Sequence, residues 1–413
     1  MAPFNMNSTT LRLMLLSFFE FGVWGTYLTS VGIYLFNVGL GGEIGWFFAV
    51  QGIASIFMPA IMGGIADKWV SAQRLLALCH AVAAIFMAAA GYIGMTKGAD
   101  VTFVELFVPY ALGVAFFMPT IALSNSVSFT VLGNEGKDAV RIFPRIRVLG
   151  TVGFIVAMWT TDLLGFKDSY NQFFASAALG VIMALYSLTM PACPPKGARK
   201  ENTLFARMGG DAFAMLADRR MALFFLFAIL LGAALQISNG YTGAYLGSFA
   251  NVPGFEDTFA VKHPVIMTSL SQISETLCIL LIPFFLKRYG IKRVIAIAMF
   301  AWSARFLLLG AGNPAGGAWM FVLSMVVYGV AFDFFNISGS LYVNSCVDEK
   351  RRSGAQGLFM LATNGLGASI GMIAAQMVVN YSLSAGGWAA AWYIFAAYAA
   401  VVALLFLLCF KEK

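Results

Sequence analysis

Residues 328–340 read YGVAFDFFNISGS, and two features of this stretch decide how the chain is read. Its GVAF, Gly329–Phe332, repeats the GVAF of Gly113–Phe116. Its Asp333 has no other charge between itself and Met320. A charged side chain at the centre of a membrane helix costs about 3 kcal/mol on insertion scales, so an acid in such a run marks function wherever the run spans a bilayer.

The surrounding composition makes it span. Of 413 residues, 60% are hydrophobic and 11% charged, against about 25% charged in soluble domains. A span needs about 20 mostly apolar residues. Twelve stretches reach that length: 11–36, 43–66, 73–95, 102–127, 145–165, 170–190, 221–248, 263–286, 292–311, 317–345, 354–380 and 386–410. The first is too long for a signal peptide and has no small-residue cleavage site, so it is expected to remain as the first helix.

Twelve spans place both termini on one side. With that side cytoplasmic, 22 of the 26 Lys and Arg lie inside, Lys97, Lys167 and Lys262 lie outside, and Arg305 falls within a span. This is the positive-inside bias of a multi-pass membrane protein. It also accounts for the net charge of +7, so a nucleic-acid partner, which needs a soluble basic domain, is not expected. The partner of the apolar surface is the lipid bilayer.

Enzymatic chemistry finds no support. The five Cys lie in or beside spans or, for Cys193, in a cytoplasmic connection, so disulfides are not expected. Only His80 and His263 are present, and no Cys/His/Asp group has metal-ligand spacing. No phosphate-binding G-x-x-x-x-G-K motif is present, and the one G-x-S-x-G string, Gly367–Gly371, falls inside an apolar span rather than at the strand-to-helix turn a nucleophile elbow needs. Neither a metal nor a cofactor is expected.

The longest cytoplasmic connection opens with PACPPKGARKEN at Pro191 and divides the chain six plus six. Expected domains are therefore an N-terminal six-helix bundle at 1–190, a linker at 191–220 and a C-terminal six-helix bundle at 221–413. Two repeated bundles of this kind form the major facilitator fold, with substrate bound near the midplane. The repeat is also an internal control: Phe117 follows the first GVAF where Asp333 follows the second. The helical framework does not need an acid there. The structural alternative is an ion pair between Asp333 and Arg305 on the ninth span.

Polar stripes mark a pocket. In the eighth span Thr268, Gln272 and Glu275 follow i, i+4, i+7 and share one face; together an acid and an amide offer acceptors and donors to hydroxyls and a heterocyclic edge. Gln236 and Asn239 add two amides in the seventh span. Arg147 and Thr151 stand one turn apart at the start of the fifth, where Arg147 is equally a positive-inside charge. Tyr328 and Phe332, i and i+4, offer flat walls or plain packing. Glu20 is a second acid within the first span, near Trp24 and Tyr27. Asp67, in Gly63-x-x-x-Asp67-Lys68 after the second span, resembles the major facilitator loop signature and is assigned to a gate. His80 reads as an interior histidine, and Gly367-x-x-x-Gly371 as a helix-packing motif.

WGTYLTSVG, FMPAIMGGIADKW, RVLGTVGFIVAMW, RMALFFLFAILLGAALQISN, SQISETLCILLIPFFLKRYGIK and YGVAFDFFNISGS together resemble the NupG-type nucleoside:proton symporters of the major facilitator superfamily through nearly the whole chain. The resemblance implies proton-coupled nucleoside uptake across a bacterial inner membrane, with a monomer sufficient. It implies that Arg147, Thr151, Gln236, Asn239, Gln272 and Glu275 bind the nucleoside, that Tyr328 and Phe332 pack on the base, and that Asp333 serves proton coupling. Glu20 stands where the resemblance implies a neutral amide, which makes it a second candidate proton carrier. The competing functions are a carrier for another polar solute, such as a sugar, and a sensor that binds without transport.

Overall fold

Hydroxyl side chains, glycines and prolines punctuate an otherwise continuous series of apolar helices. The structure is a computed structural model, and it describes residues 8–195, 197, 210–347 and 352–410. Of the expected linker at 191–220, residues 196 and 198–209 lie outside the described residues. No strand occurs among the described residues. Contacts divide the chain into two units: unit 1 is Met1–Tyr34 with Phe57–Leu204, and unit 2 is Leu35–Ile56 with Phe205–Lys413.

The first expected span does not form one helix. It breaks into α1, Ser8–Gly25, and α2, Val31–Asn37. In the intervening turn the Thr26 hydroxyl donates to the Val23 carbonyl at 2.7 Å, and that of Ser30 donates to the Thr26 carbonyl at 3.2 Å. Such side-chain bonds compete with the helical ladder. There follow α3 Ile44–Lys68, α4 Ala72–Lys97, α5 Phe103–Asn134, α6 Ala139–Leu163 and α7 Asn171–Leu188. The start of α5 is fixed by a capping box, in which the Glu105 carboxylate accepts from the Thr102 backbone N–H at 3.1 Å, satisfying a donor the helix leaves open.

Within unit 1, α1 packs along α6 and α7, and α4 along α5 and α7. The α1–α6 crossing is lined by glycine on both sides. A Cβ on Gly25 would strike the Phe154 carbonyl, and one on Gly153 the Phe18 carbonyl. Close backbone approach of this kind is how membrane helices gain packing energy without a hydrophobic effect between them.

The second half of the chain, in unit 2, continues with α8, Arg219–Ser248, capped by Asp218, whose carboxylate accepts from the Arg220 N–H at 2.7 Å. Next, α9, Pro264–Cys278, runs through a tight turn at Ile279–Leu281 into α10, Ile282–Ala311. This 48-residue stretch is roughly 72 Å of helix at 1.5 Å per residue, more than twice the hydrocarbon core. Gly290, at φ 76° and ψ 169°, divides it into the eighth and ninth spans; an L side chain would be strained there. The remaining helices are α11 Ala318–Ser345, α12 Arg352–Met360, α13 Ala368–Ala385 and α14 Gly387–Cys409, with a π-helical segment, Leu361–Gly367, between α12 and α13. Among the described residues, ten helical stretches are long and apolar enough to cross a membrane. Counting the 48-residue stretch as two spans and adding α1 with α2 gives twelve.

Gly367 and Gly371 face α8, where an added Cβ would meet the Ile229 carbonyl and Ala233. On the next turns of α13, Gln376 Oε1 accepts from the Gly45 N–H at 2.5 Å and from the Tyr241 hydroxyl at 2.9 Å, while its amide donates to the Gly41 carbonyl at 3.1 Å. One side chain thus fastens the beginning of α3 to α8 and α13, which is why residues 35–56 group with unit 2.

Candidate functional site

Three helices of unit 2 carry most of the candidate site residues. Gln236 and Asn239 lie on α8, Gln272 and Glu275 on α9, and Tyr328, Phe332 and Asp333 on α11. The approach of α9 to α11 depends on the glycine of the second GVAF: a Cβ on Gly329 would meet the carbonyl and hydroxyl oxygens of Ser274. Ser274 in turn donates to the Val326 carbonyl at 2.5 Å. Tyr328 is thereby brought within hydrogen-bonding reach of Gln272 and within electrostatic reach of Glu275 and Asp333. Tyr328 and Phe332 stack at 5.7 Å with a 15° interplanar angle. Gln236 is buried with its Oε1 unpartnered, whereas Asn239, Gln272, Glu275 and Phe332 are partly exposed.

Arg305 organises this cluster in a way the sequence did not reveal. It is 1% exposed and, among the described residues, donates to no carboxylate. Its Nη2 reaches the Ser238 hydroxyl at 2.7 Å, and its Nη1 reaches the Ser324 carbonyl at 2.7 Å and the Ser271 hydroxyl at 3.4 Å. The guanidinium lies 4.9 Å over the Tyr328 ring, a cation–π arrangement. Ser238 precedes Asn239 and Ser271 precedes Gln272. A single buried cation on α10 therefore ties together the three helices that present the polar stripes.

The expected alternative for Asp333, an ion pair with Arg305, does not form. Asp333 is 3% exposed and makes no hydrogen bond or ion pair among the described residues; its Oδ2 is buried without a partner. The carboxylate of Glu275 lies within electrostatic reach of it.

Unit 1 holds the other candidates. Arg147 Nη1 reaches the Thr151 hydroxyl at 3.4 Å, and its guanidinium caps the Phe21 ring at 3.8 Å. Glu20 is fully buried. Its Oε1 accepts from the Thr120 hydroxyl at 2.6 Å, and its Oε2 lies 2.9 Å from His80 Nε2. The sequence reading took His80 as solitary; its partner stands 60 positions earlier, a pairing that only the packing of the helices discloses. Asp67 is half-buried at the end of α3, where its backbone carbonyl accepts from the Gly197 N–H at 3.1 Å.

Sequence comparison gives these clusters a context. The profile described as Nucleoside H+ symporter matches residues 6–413. The chain belongs to the nucleoside H+ symporter family. This member is 45% identical to the nucleoside permease NupG of Escherichia coli K12 over 98% of its own length and 96% of the relative's. It is 44% identical to the xanthosine permease of the same organism, with the same coverage. Among solved structures, a crystal structure of the nucleoside transporter NupG superimposes with a TM-score of 0.92 at 43% identity, covering 98% of this chain and all of the other. The family member thus has the twelve-helix, two-bundle major facilitator fold of a transporter and is not an enzyme.

Proposed function

We propose that this chain imports nucleosides together with protons across a bacterial inner membrane by alternating access, with both termini in the cytoplasm. Membership of the symporter family supports the substrate pair, and the distribution of basic residues supports the orientation. The observation that carries the coupling step is the unpartnered Asp333 carboxylate beside Glu275.

Gln236, Asn239, Gln272 and Glu275 supply donors and acceptors for the ribose hydroxyls and the base edge, and the stacked rings of Tyr328 and Phe332 receive the base face. In unit 1, Arg147 and Thr151 also serve the substrate, and Asp67 serves the gate. Arg305 holds Tyr328 and the neighbouring serines in register. With Glu275 and Asp333 both ionised, the cluster carries one negative charge that Arg305 does not offset. A proton on Asp333 cancels it. Moving an uncompensated charge through a dry environment is costly, so closure proceeds when proton and nucleoside are both bound. Loss of the proton restores repulsion between the two carboxylates as Glu275 releases its ligand.

Uptake of labelled uridine by proteoliposomes, with and without a proton gradient and with sugars or nucleosides as competitors, tests this reading. Gradient-dependent accumulation blocked by nucleosides and not by sugars is expected. Accumulation blocked by sugars instead, or uridine binding with no flux, overturns it.

A further inference from the structure

The chemistry of unit 1 is not exhausted by its candidate substrate contacts. Three helices meet at a buried acid–base cluster: Glu20 from α1, His80 from α4 and Thr120 from α5. Both Glu20 oxygens are engaged, but the far nitrogen of the imidazole, His80 Nδ1, is buried without a partner, and so is the Tyr27 hydroxyl. Both residues line one small cavity of about 10 Å³, walled by Ser176, Phe117 and Met87. That is room for a single water molecule, and a water bridging Nδ1 and the Tyr27 hydroxyl, with the Ser176 hydroxyl alongside, would have the two to four polar partners a buried water requires.

We propose that Glu20 and His80 form a second proton-binding site, distinct from Asp333, in which a carboxylate, an imidazole, one water and a phenol make a continuous hydrogen-bonded chain. The cluster's net charge depends on one proton. With it, carboxylate and imidazolium sum to zero; without it, an anion stands in a fully buried site. The surrounding groups leave that proton decisive. From α4 the cluster meets Cys79, and from α5 Tyr110 as well as Thr120. On α6 the Arg147 guanidinium is seated on the ring of Phe21, the residue after Glu20. From α7 comes Ser176 at the cavity, while Gln172 accepts from the Ser30 hydroxyl at 2.9 Å and the Tyr186 hydroxyl donates to the Arg12 carbonyl. Imidazole is the side chain whose protonation ordinarily changes near physiological pH, so gain or loss of that one proton would switch this cluster between neutral and anionic. Its influence on uptake rests on the proton-coupled transport proposed above; its binding of a proton does not.

The chain has only two histidines, so the His263→Gln variant leaves His80 as the sole imidazole signal in an NMR titration of the purified, histidine-labelled protein. Between about pH 5 and pH 9 the signal is expected to show both the protonated and the neutral imidazole, and Glu20→Gln is expected to change how the two share the population at a given pH. In proteoliposomes, His80→Gln is expected to displace the pH profile of nucleoside uptake by about one unit or more, which a purely structural contact would not do. A His80 signal that keeps one protonation state throughout overturns the proposal even if His80→Gln fails to fold. So does a His80→Gln uptake profile that overlays that of the unsubstituted chain. Uptake that is independent of any proton gradient in the unsubstituted chain refutes the transport reading instead, and leaves the NMR arm to decide the site.

Discussion

In unit 1 the carboxylate of Glu20 commits one oxygen to Thr120 and the other to His80, whereas in unit 2 Asp333, buried to nearly the same degree, commits neither. The cation nearest in sequence logic to Asp333 is no help to it, because Arg305 gives its hydrogen bonds to Ser238, Ser271 and Ser324. Burying a bare carboxylate costs several kcal/mol unless something compensates it. Glu20 has that compensation in the protein. On the function proposed here the missing partner of Asp333 is a proton, and a site that must acquire its partner from solution is suited to coupling in a way that a site already furnished with one is not.

The largest test of this contrast is Asp333→Asn. One proton moving through about 100 mV supplies about 2.3 kcal/mol, enough for about 50-fold accumulation of a neutral nucleoside. The variant should lose that accumulation while still binding nucleoside, as measured by uptake in proteoliposomes alongside calorimetry. Adding Arg305→Leu should not restore it, since the structure contains no bridge to relieve. Restored concentrative uptake in the double variant would reduce Asp333 to half of a structural pair and dissolve the comparison.

Next in size is Arg305→Met. Hydrogen bonds to a charged group contribute about 1.5–3 kcal/mol, so loss of the guanidinium should weaken apparent nucleoside affinity by about tenfold or more in uptake kinetics. Arg305→Lys should rescue little, because one ammonium does not reproduce a fork that spans Ser238, Ser271 and Ser324. Full rescue by Lys would show that charge, and not geometry, is what unit 2 requires. Gln272→Ala and Glu275→Ala should each weaken binding by about tenfold by calorimetry; normal affinity in both would remove α9 from the pocket. The smallest effect is expected of Glu20→Gln, whose amide retains the size and some of the hydrogen bonding of the acid. Gradient-driven accumulation should persist with an altered pH profile. Abolished coupling there, with Asp333→Asn unaffected, would transfer the coupling proton to unit 1.

Much of this was legible in the sequence. Twelve apolar runs gave the spans because the bilayer imposes a length, and Asp333 stood out because a lone charge in such a run is conspicuous. Helical spacing also grouped Gln272 with Glu275 and Tyr328 with Phe332, and Gly367 and Gly371 do pack against α8. Periodicity, however, describes faces of one helix and says nothing about which helices meet. Hence Arg305 was matched on charge to Asp333, although three serines hold it, and His80 was read apart from Glu20. The break at Thr26–Ser30 escaped notice for a related reason: hydropathy continues through it, and only hydroxyls bonding back to the main chain interrupt the helix.

The π-helical segment at Leu361–Gly367 has a practical outcome for anyone mapping this protein by chemical labelling. Wider turns let the chain fall behind the α-helical phase by roughly one residue. A cysteine scan from 352 to 385 should therefore give two periodic reactivity patterns rather than one, α12 and α13 each keeping its own rhythm, with the slip located between Met360 and Ala368. Fitting a single helical wheel to the whole span would assign lipid-facing positions on α13 to the wrong side.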